Sequence, residues 1–267
     1  MRAEAHRNVF LPVMGSLAVL AWVTLWLWER SPYGRYLDHG DWTQIGIAAS
    51  ICRALPGGEV LLPAFLYIGG WVLMTAAMML PTTFPLLEIF RRLTLRRADR
   101  RLLLGLVILG YLLIWTLFGL AAHLVDFGLN ELVVGNTWLT TNGWVFGAAV
   151  LALAGAFQFS QLKYRCLDKC RMPLSFVMER WRGRQERWHA FVLGVNHGAF
   201  CVGCCWALMM LMFVVGTGSV GWMLVLGAIM AVEKNMPWGR KLSAPLGISL
   251  IAGSGVIVWS HALTWPA

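Results

Sequence analysis

Seven apolar blocks, most of them near 20 residues long and almost free of charge, constrain this chain more than any motif it carries. Backbone N–H and C=O groups in hydrocarbon have no water to bond, so a chain that crosses a bilayer does so as helices or as a closed barrel. Barrel strands alternate over about ten residues, and these blocks are too long and too continuous for that. A sequence of 267 residues that is 58% hydrophobic and only 13% charged also lies outside the usual soluble composition. The expected fold is therefore all-α, a polytopic transmembrane helical bundle forming one integral membrane domain over 1–267. Its spans fall at about 10–28, 63–87, 102–125, 138–161, 190–215, 220–234 and 244–263. The first block follows Arg2 and Arg7 with no small-residue cleavage site behind it, so it reads as an uncleaved span.

The basic residues orient these spans. Arg2 and Arg7, the cluster from Arg91 to Arg101, the run from Lys163 to Arg187, and Lys234, Arg240 and Lys241 place 19 of the 22 Lys and Arg on one side. The other side holds Arg30, Arg35 and Arg53 beside several acids. By the positive-inside rule the N-terminus is cytoplasmic and the C-terminus faces outward. Segments 91–101 and 162–189 become basic cytoplasmic loops, and 29–62 becomes the one sizeable outer loop. The net charge of +9 follows from this topology, so no nucleic-acid partner is implied.

Chemistry concentrates near the start of the fifth block, in Gly194-Val-Asn-His-Gly-Ala-Phe-Cys-Val-Gly-Cys-Cys-Trp206. At 100° per residue, His197, Cys201 and Cys204 fall within roughly 60° of one another, with Cys205 on the flank. His197 and Cys204 are roughly 10 Å apart along the helix axis, too far to grip one ion on a regular helix. The stripe is thus a short ladder of soft donors, or one site completed by another segment. Cys166 and Cys170 supply that segment: they are i, i+4 on a helix face just beyond the fourth span and on the same predicted side. If 162–171 packs on the fifth span, a set of thiolates with one imidazole suits zinc, and a subset suits Cu⁺. Lys163, Arg165, Lys169 and Arg171 would favour the thiolate forms.

Other residues weigh less. Cys52 reads as a small apolar packer. Met74, Met78 and Met79, with Met209, Met210 and Met212, would offer thioether steps to Cu⁺, although methionine is a common filler of apolar helices. Pro81 and Pro85 interrupt the second span and free carbonyls that protein or water must satisfy. Glu88 is expected to meet Arg92 at i+4. His123 and Asp126 form an i, i+3 polar pair at the outer end of the third span, either a relay or interfacial residues in water. Cys201 and Cys204 are also a Cys-x-x-Cys pair, so a membrane thiol-disulfide oxidoreductase is the rival reading. That rival has no required role for His197 or Cys205, and it would work in a compartment where thiols are kept reduced.

The run Gly194-Val-Asn-His-Gly-x-x-Cys-Val-Gly-Cys-Cys-Trp-Ala-Leu-Met209, with Glu233-Lys-x-x-Pro-Trp-Gly-Arg240 and Met78-Met-Leu-Pro81, resembles a bacterial family of predicted metal-binding integral membrane proteins, a domain of unknown function. The resemblance covers about 63–258, and Cys166 and Cys170 resemble a cysteine pair recurring there. It implies a multi-pass protein of the bacterial inner membrane that binds a metal, and it specifies neither ion nor reaction. The expected ligands are His197, Cys201, Cys204, Cys205, Cys166 and Cys170, holding copper or zinc for transport, delivery or sensing. The expected partners are the lipid bilayer and the metal ion. With no phosphate loop, ATPase signature or flavin fingerprint, transport would draw on a gradient or a partner. No catalytic residue is assigned, and enzymatic status stays open.

Overall fold

The computed structural model describes residues 15–16, 18–27, 29–30, 58–134, 138, 142–181, 186–215 and 219–263. The proposed outer loop and Cys52 lie largely or wholly outside these residues, as does the side chain of Asp126. Among the described residues the chain is all-helical, with no strand. In order the helices are α1 (Ala18–Leu27), α2 (Gly58–Met78), α3 (Phe84–Leu93), α4 (Arg100–Val134), α5 (Trp144–Phe157), α6 (Gln161–Arg171), α7 (Pro173–Arg180), α8 (Glu186–Val215), α9 (Val220–Asn235) and α10 (Ser243–Leu263). Segments Arg100–Val125, Glu186–Met212 and Gly239–Leu263 are each long and apolar enough to cross a bilayer. The bent pairs α2–α3 and α5–α6 raise the number to five if each pair is one span. Both α1 and the 16-residue α9 are shorter than a spanning helix needs by itself.

Each bend has a local cause. Pro81 has no N–H to give the turn before it, so α2 stops and a 3₁₀ turn, Pro81–Thr83, redirects the chain by 46° into α3. The carbonyls left over are satisfied within the protein. Thr82 Oγ1 donates to Met79 O at 2.7 Å, Thr83 Oγ1 donates to Leu80 O at 2.7 Å, and Tyr111 O–H reaches Met79 O at 3.3 Å. The second bend, 62° between α5 and α6, ends at Ser160, whose extended backbone and hydroxyl cap α6 by accepting from Lys163 N at 3.1 Å.

Helix α8 is the hub, packed on α4, α5 and α6. Its closest partner is α4, and small residues make that approach possible. A Cβ at Gly194 would lie 2.8 Å from the carbonyl carbon of Val107, one at Gly198 would lie 3.1 Å from Tyr111 O, and one at Gly110 would lie 2.9 Å from Val195 N. Backbone thus meets backbone at this crossing, the small-xxx-small arrangement that lets apolar helices associate without water to drive them. The crossing brings Tyr111, one residue beyond Gly110, against the face of α8 that carries Cys201.

The basic segment 162–189 is not a loop over its described part. It folds as α6 and α7, with α6 packed on α8 as a shared site requires. Lys163 is fully buried and Lys234 is only 5% exposed, so two residues expected at a solvated surface lie inside the protein. Lys163 Nζ pairs with Glu233 Oε1 at 2.6 Å and also donates to Gln158 Oε1. Ser243 Oγ donates to the same Glu233 oxygen at 2.6 Å. Arg171 donates to the carbonyls of Glu233 at 2.5 Å and Pro237 at 2.8 Å, and Arg240 pairs with Asp168 at 3.0 Å. These contacts fasten α6 to the end of α9. At the surface, Glu88 meets Arg92 at 2.7 Å as its spacing predicts, and also Arg91 at 2.7 Å. Arg97 hydrogen-bonds Asp99 and holds that carboxyl below the usual carboxylate range.

Candidate metal centre

Cys201, Cys204 and Cys205 are all buried on the inner face of α8, and α6 brings Cys170 beside them. Cys204 Sγ lies 3.3 Å from Cys205 Sγ and donates to Cys201 O at 3.2 Å, and Cys170 packs against the same core. Cys205 follows Cys201 by one helical turn, so the four thiols line one stretch of the α6–α8 interface. It runs from the partly exposed Cys170 to Cys201, which water does not reach. None of the five described cysteines is in a disulfide. Cys166 is buried against the backbone of Gly203, where an added Cβ would stand 2.6 Å from its sulfur. Glycine inside Cys201-Val-Gly-Cys204 is therefore what lets α6 settle on α8.

His197 is placed differently from the expectation. Its ring stacks on Tyr111 at 5.8 Å and meets Phe176 edge-on at 5.6 Å, and Nδ1 has no hydrogen-bond partner among the described residues. It lies on the same stripe as Cys201, yet its ring is held between aromatic neighbours. Among the described residues no group of three or more His, Cys, Asp and Glu side chains is gathered as a metal cage. The structure thus unites Cys170, Cys201, Cys204 and Cys205 at one interface, sets Cys166 one helix contact away, and sets His197 to one side.

Lys234, Thr82 and Tyr111 were not expected at Cys201, whereas Met79 is one of the thioethers named from the sequence. Lys234 Nζ lies 2.8 Å from Cys201 Sγ, 3.3 Å from Thr82 Oγ1 and 3.8 Å from Met79 Sδ. Tyr111 O–H lies 3.1 Å from the same sulfur. The cation beside the deepest thiol is therefore Lys234 on α9, whereas Lys163 and Arg171 are committed to Glu233 and to backbone carbonyls. The sequence signal that would have found it is the Glu-Lys pair at the end of an apolar block, since a charge inside lipid-facing helices needs a partner. Lys169 bonds Glu179, and together with Ser175 it holds that carboxyl below its ordinary range.

Chemically, the arrangement offers soft sulfur in close succession and no oxygen cage. That favours Cu⁺ over calcium or magnesium, and a row of thiols permits stepwise ligand exchange. Residues 68–258 match a family model described as PpoB2, copper chaperone. Neither a curated protein nor a solved structure matches the chain.

Proposed function

We propose, because the chain belongs to the PpoB2 copper chaperone family, that it is a multi-pass inner-membrane protein that takes up Cu⁺ at Cys170 and passes it inward through Cys204 and Cys205 to Cys201. The observation that carries this reading is the gathering of a partly exposed thiol, Cys170, with three buried ones at the packing of α6 on α8, where Cys204 Sγ and Cys205 Sγ are 3.3 Å apart. A Cu⁺ ion moving among them would never be without a thiolate, and each step exchanges one soft ligand for another. The family points to copper, and nothing supports zinc. Cys166 and His197 flank the path. His197 would become a ligand by turning its unpartnered Nδ1 toward the cysteines.

The membrane reading rests on the apolar helices and on outward faces such as Ile248, Val256 and Trp259 of α10, which are more than 60% exposed. Seven spans with a cytoplasmic N-terminus follow from the basic residues and from counting α1, α9, the α2–α3 pair and α5 as spans, with α6 at the cytoplasmic surface. Reporter fusions in 91–101 and 162–189 are expected to report the cytoplasm. A periplasmic signal from 162–189 would invert the protein and put Cys170 on the outer side.

The function is tested by copper stoichiometry in detergent-purified protein under reducing, anaerobic conditions. Cys201→Ala combined with Cys205→Ala is expected to reduce bound Cu⁺ to background. Cys170→Ala is expected to slow loading by about tenfold or more while leaving most of the final occupancy, because it removes the outer step only. Full occupancy in the Cys201/Cys205 double variant would end the proposal.

A further inference from the structure

The chain of thiols does not account for the cage around the Lys234 ammonium. An ammonium has three protons and no acceptor, and here the three protons have three acceptors in Cys201 Sγ, Thr82 Oγ1 and Met79 Sδ. Two of the three are sulfur, poor partners for a compact, strongly hydrated cation. A thiolate and a thioether together are instead a donor pair for a soft monovalent ion. Met79 and Cys201 are both fully buried, and the turn after α2 and the middle of α8 bring them to this one point.

Resting on the copper reading above, we propose that Met79 and Cys201 form an inner copper station in which the Lys234 ammonium is a resident stand-in that Cu⁺ displaces. On exchange the N–H contacts to the two sulfurs break and copper–sulfur bonds to the same two atoms form. The proton shared between Cys201 and Lys234 stays on nitrogen, copper keeps its +1 state, and no electron moves. One monovalent cation replaces another beside the same sulfur, so the charge at Cys201 is conserved and the displaced ammonium must find other acceptors. The lysine has somewhere to go. It lies in the last turn of α9, where a flexible stem can carry the ammonium toward the C-terminal end of the helix, the pole that attracts cations.

The test is a Cu⁺ titration of the full chain in detergent against a chromophoric Cu⁺ chelator. Lys234→Leu, which removes the competitor and adds no donor, is expected to bind Cu⁺ about tenfold tighter than wild type. Adding Met79→Leu to Lys234→Leu is expected to abolish that gain. Thr82→Val loosens the ammonium without touching either sulfur and is expected to tighten copper in the same direction by a smaller factor, which keeps the test open if the lysine variant does not fold. Unchanged or weaker binding in Lys234→Leu, or in Thr82→Val where only that variant folds, would overturn the exchange and make the lysine a permanent counter-charge. Wild-type protein that binds no Cu⁺ through its thiols would instead sink the copper reading itself, and the same titration shows this before any variant is compared.

Discussion

Replacing Lys163 by Met is expected to destabilise the protein by about 3–5 kcal/mol, because it strands a carboxylate in the interior. Glu233 is 1% exposed, and its Oε2 has no hydrogen-bond partner among the described residues. Oε1 relies on Lys163 and Ser243, and with the ammonium gone a single hydroxyl cannot hold the charge. The partner experiment separates the pair from its parts. Lys163→Met with Glu233→Leu removes both charges, and it is expected to recover most of the loss, since a buried pair replaced by apolar groups is often close to neutral. Thermal unfolding of the purified protein in detergent checks both variants. A Lys163→Met protein as stable as wild type would show that the pair contributes nothing. The single variant should also loosen α6, since this pair is part of what fastens that helix to α9.

The second large effect is expected at Gly194. Leucine there would drive a side chain into the backbone of Val107, which has no rotamer to yield, so α4 and α8 must part. Even Gly194→Ala is expected to cost about 1–3 kcal/mol, the usual range for overpacking a tight interior. Gly194→Leu is expected to leave little folded protein in a detergent extract. Gly105→Ala, on the same pair of helices but with open space where its Cβ would sit, is the control and is expected to be neutral or mildly stabilising. Size-exclusion profiles and melting temperatures of the three proteins make the comparison. Equal behaviour of Gly194→Leu and Gly105→Ala would show that the close crossing is dispensable.

Particular elements show what the sequence made legible. The apolar blocks anticipated α8, α9 and α10 within a few residues and the start of α4, which runs on to Val134, because burying an apolar run in a helix requires no knowledge of its partner. Pro81 marked the bend after α2 for the same local reason. The i, i+4 spacing of Cys166 and Cys170 placed both on a helix, whereas the packing of α6 on α8 was only a condition in the sequence and is seen in the structure. Lys163 and Lys234 were not legible. Each reads as a flanking charge until its partner is known, and for Lys163 that partner is 70 residues further along the chain. His197 shows the other limit. Angular proximity on a helix says which stripe a residue joins, but the direction of its ring is decided by Tyr111 and Phe176 from other helices.

The sulfur chain has its outer end on α6 and its other three members on α8, two separate helices packed against each other. An ion held between Cys170 and Cys204 would therefore be a rivet between two bodies as well as a passenger. Whatever binds the folded protein and not the unfolded one adds RT ln(1 + [L]/Kd) to its stability, about 1.4 kcal/mol for each tenfold excess of free ion over the dissociation constant. On the copper reading, the lifetime of the protein in its membrane would then rise and fall with the metal supply. A starved cell would hold a looser population open to proteolysis, and a loaded cell a persistent one, with no separate regulator required.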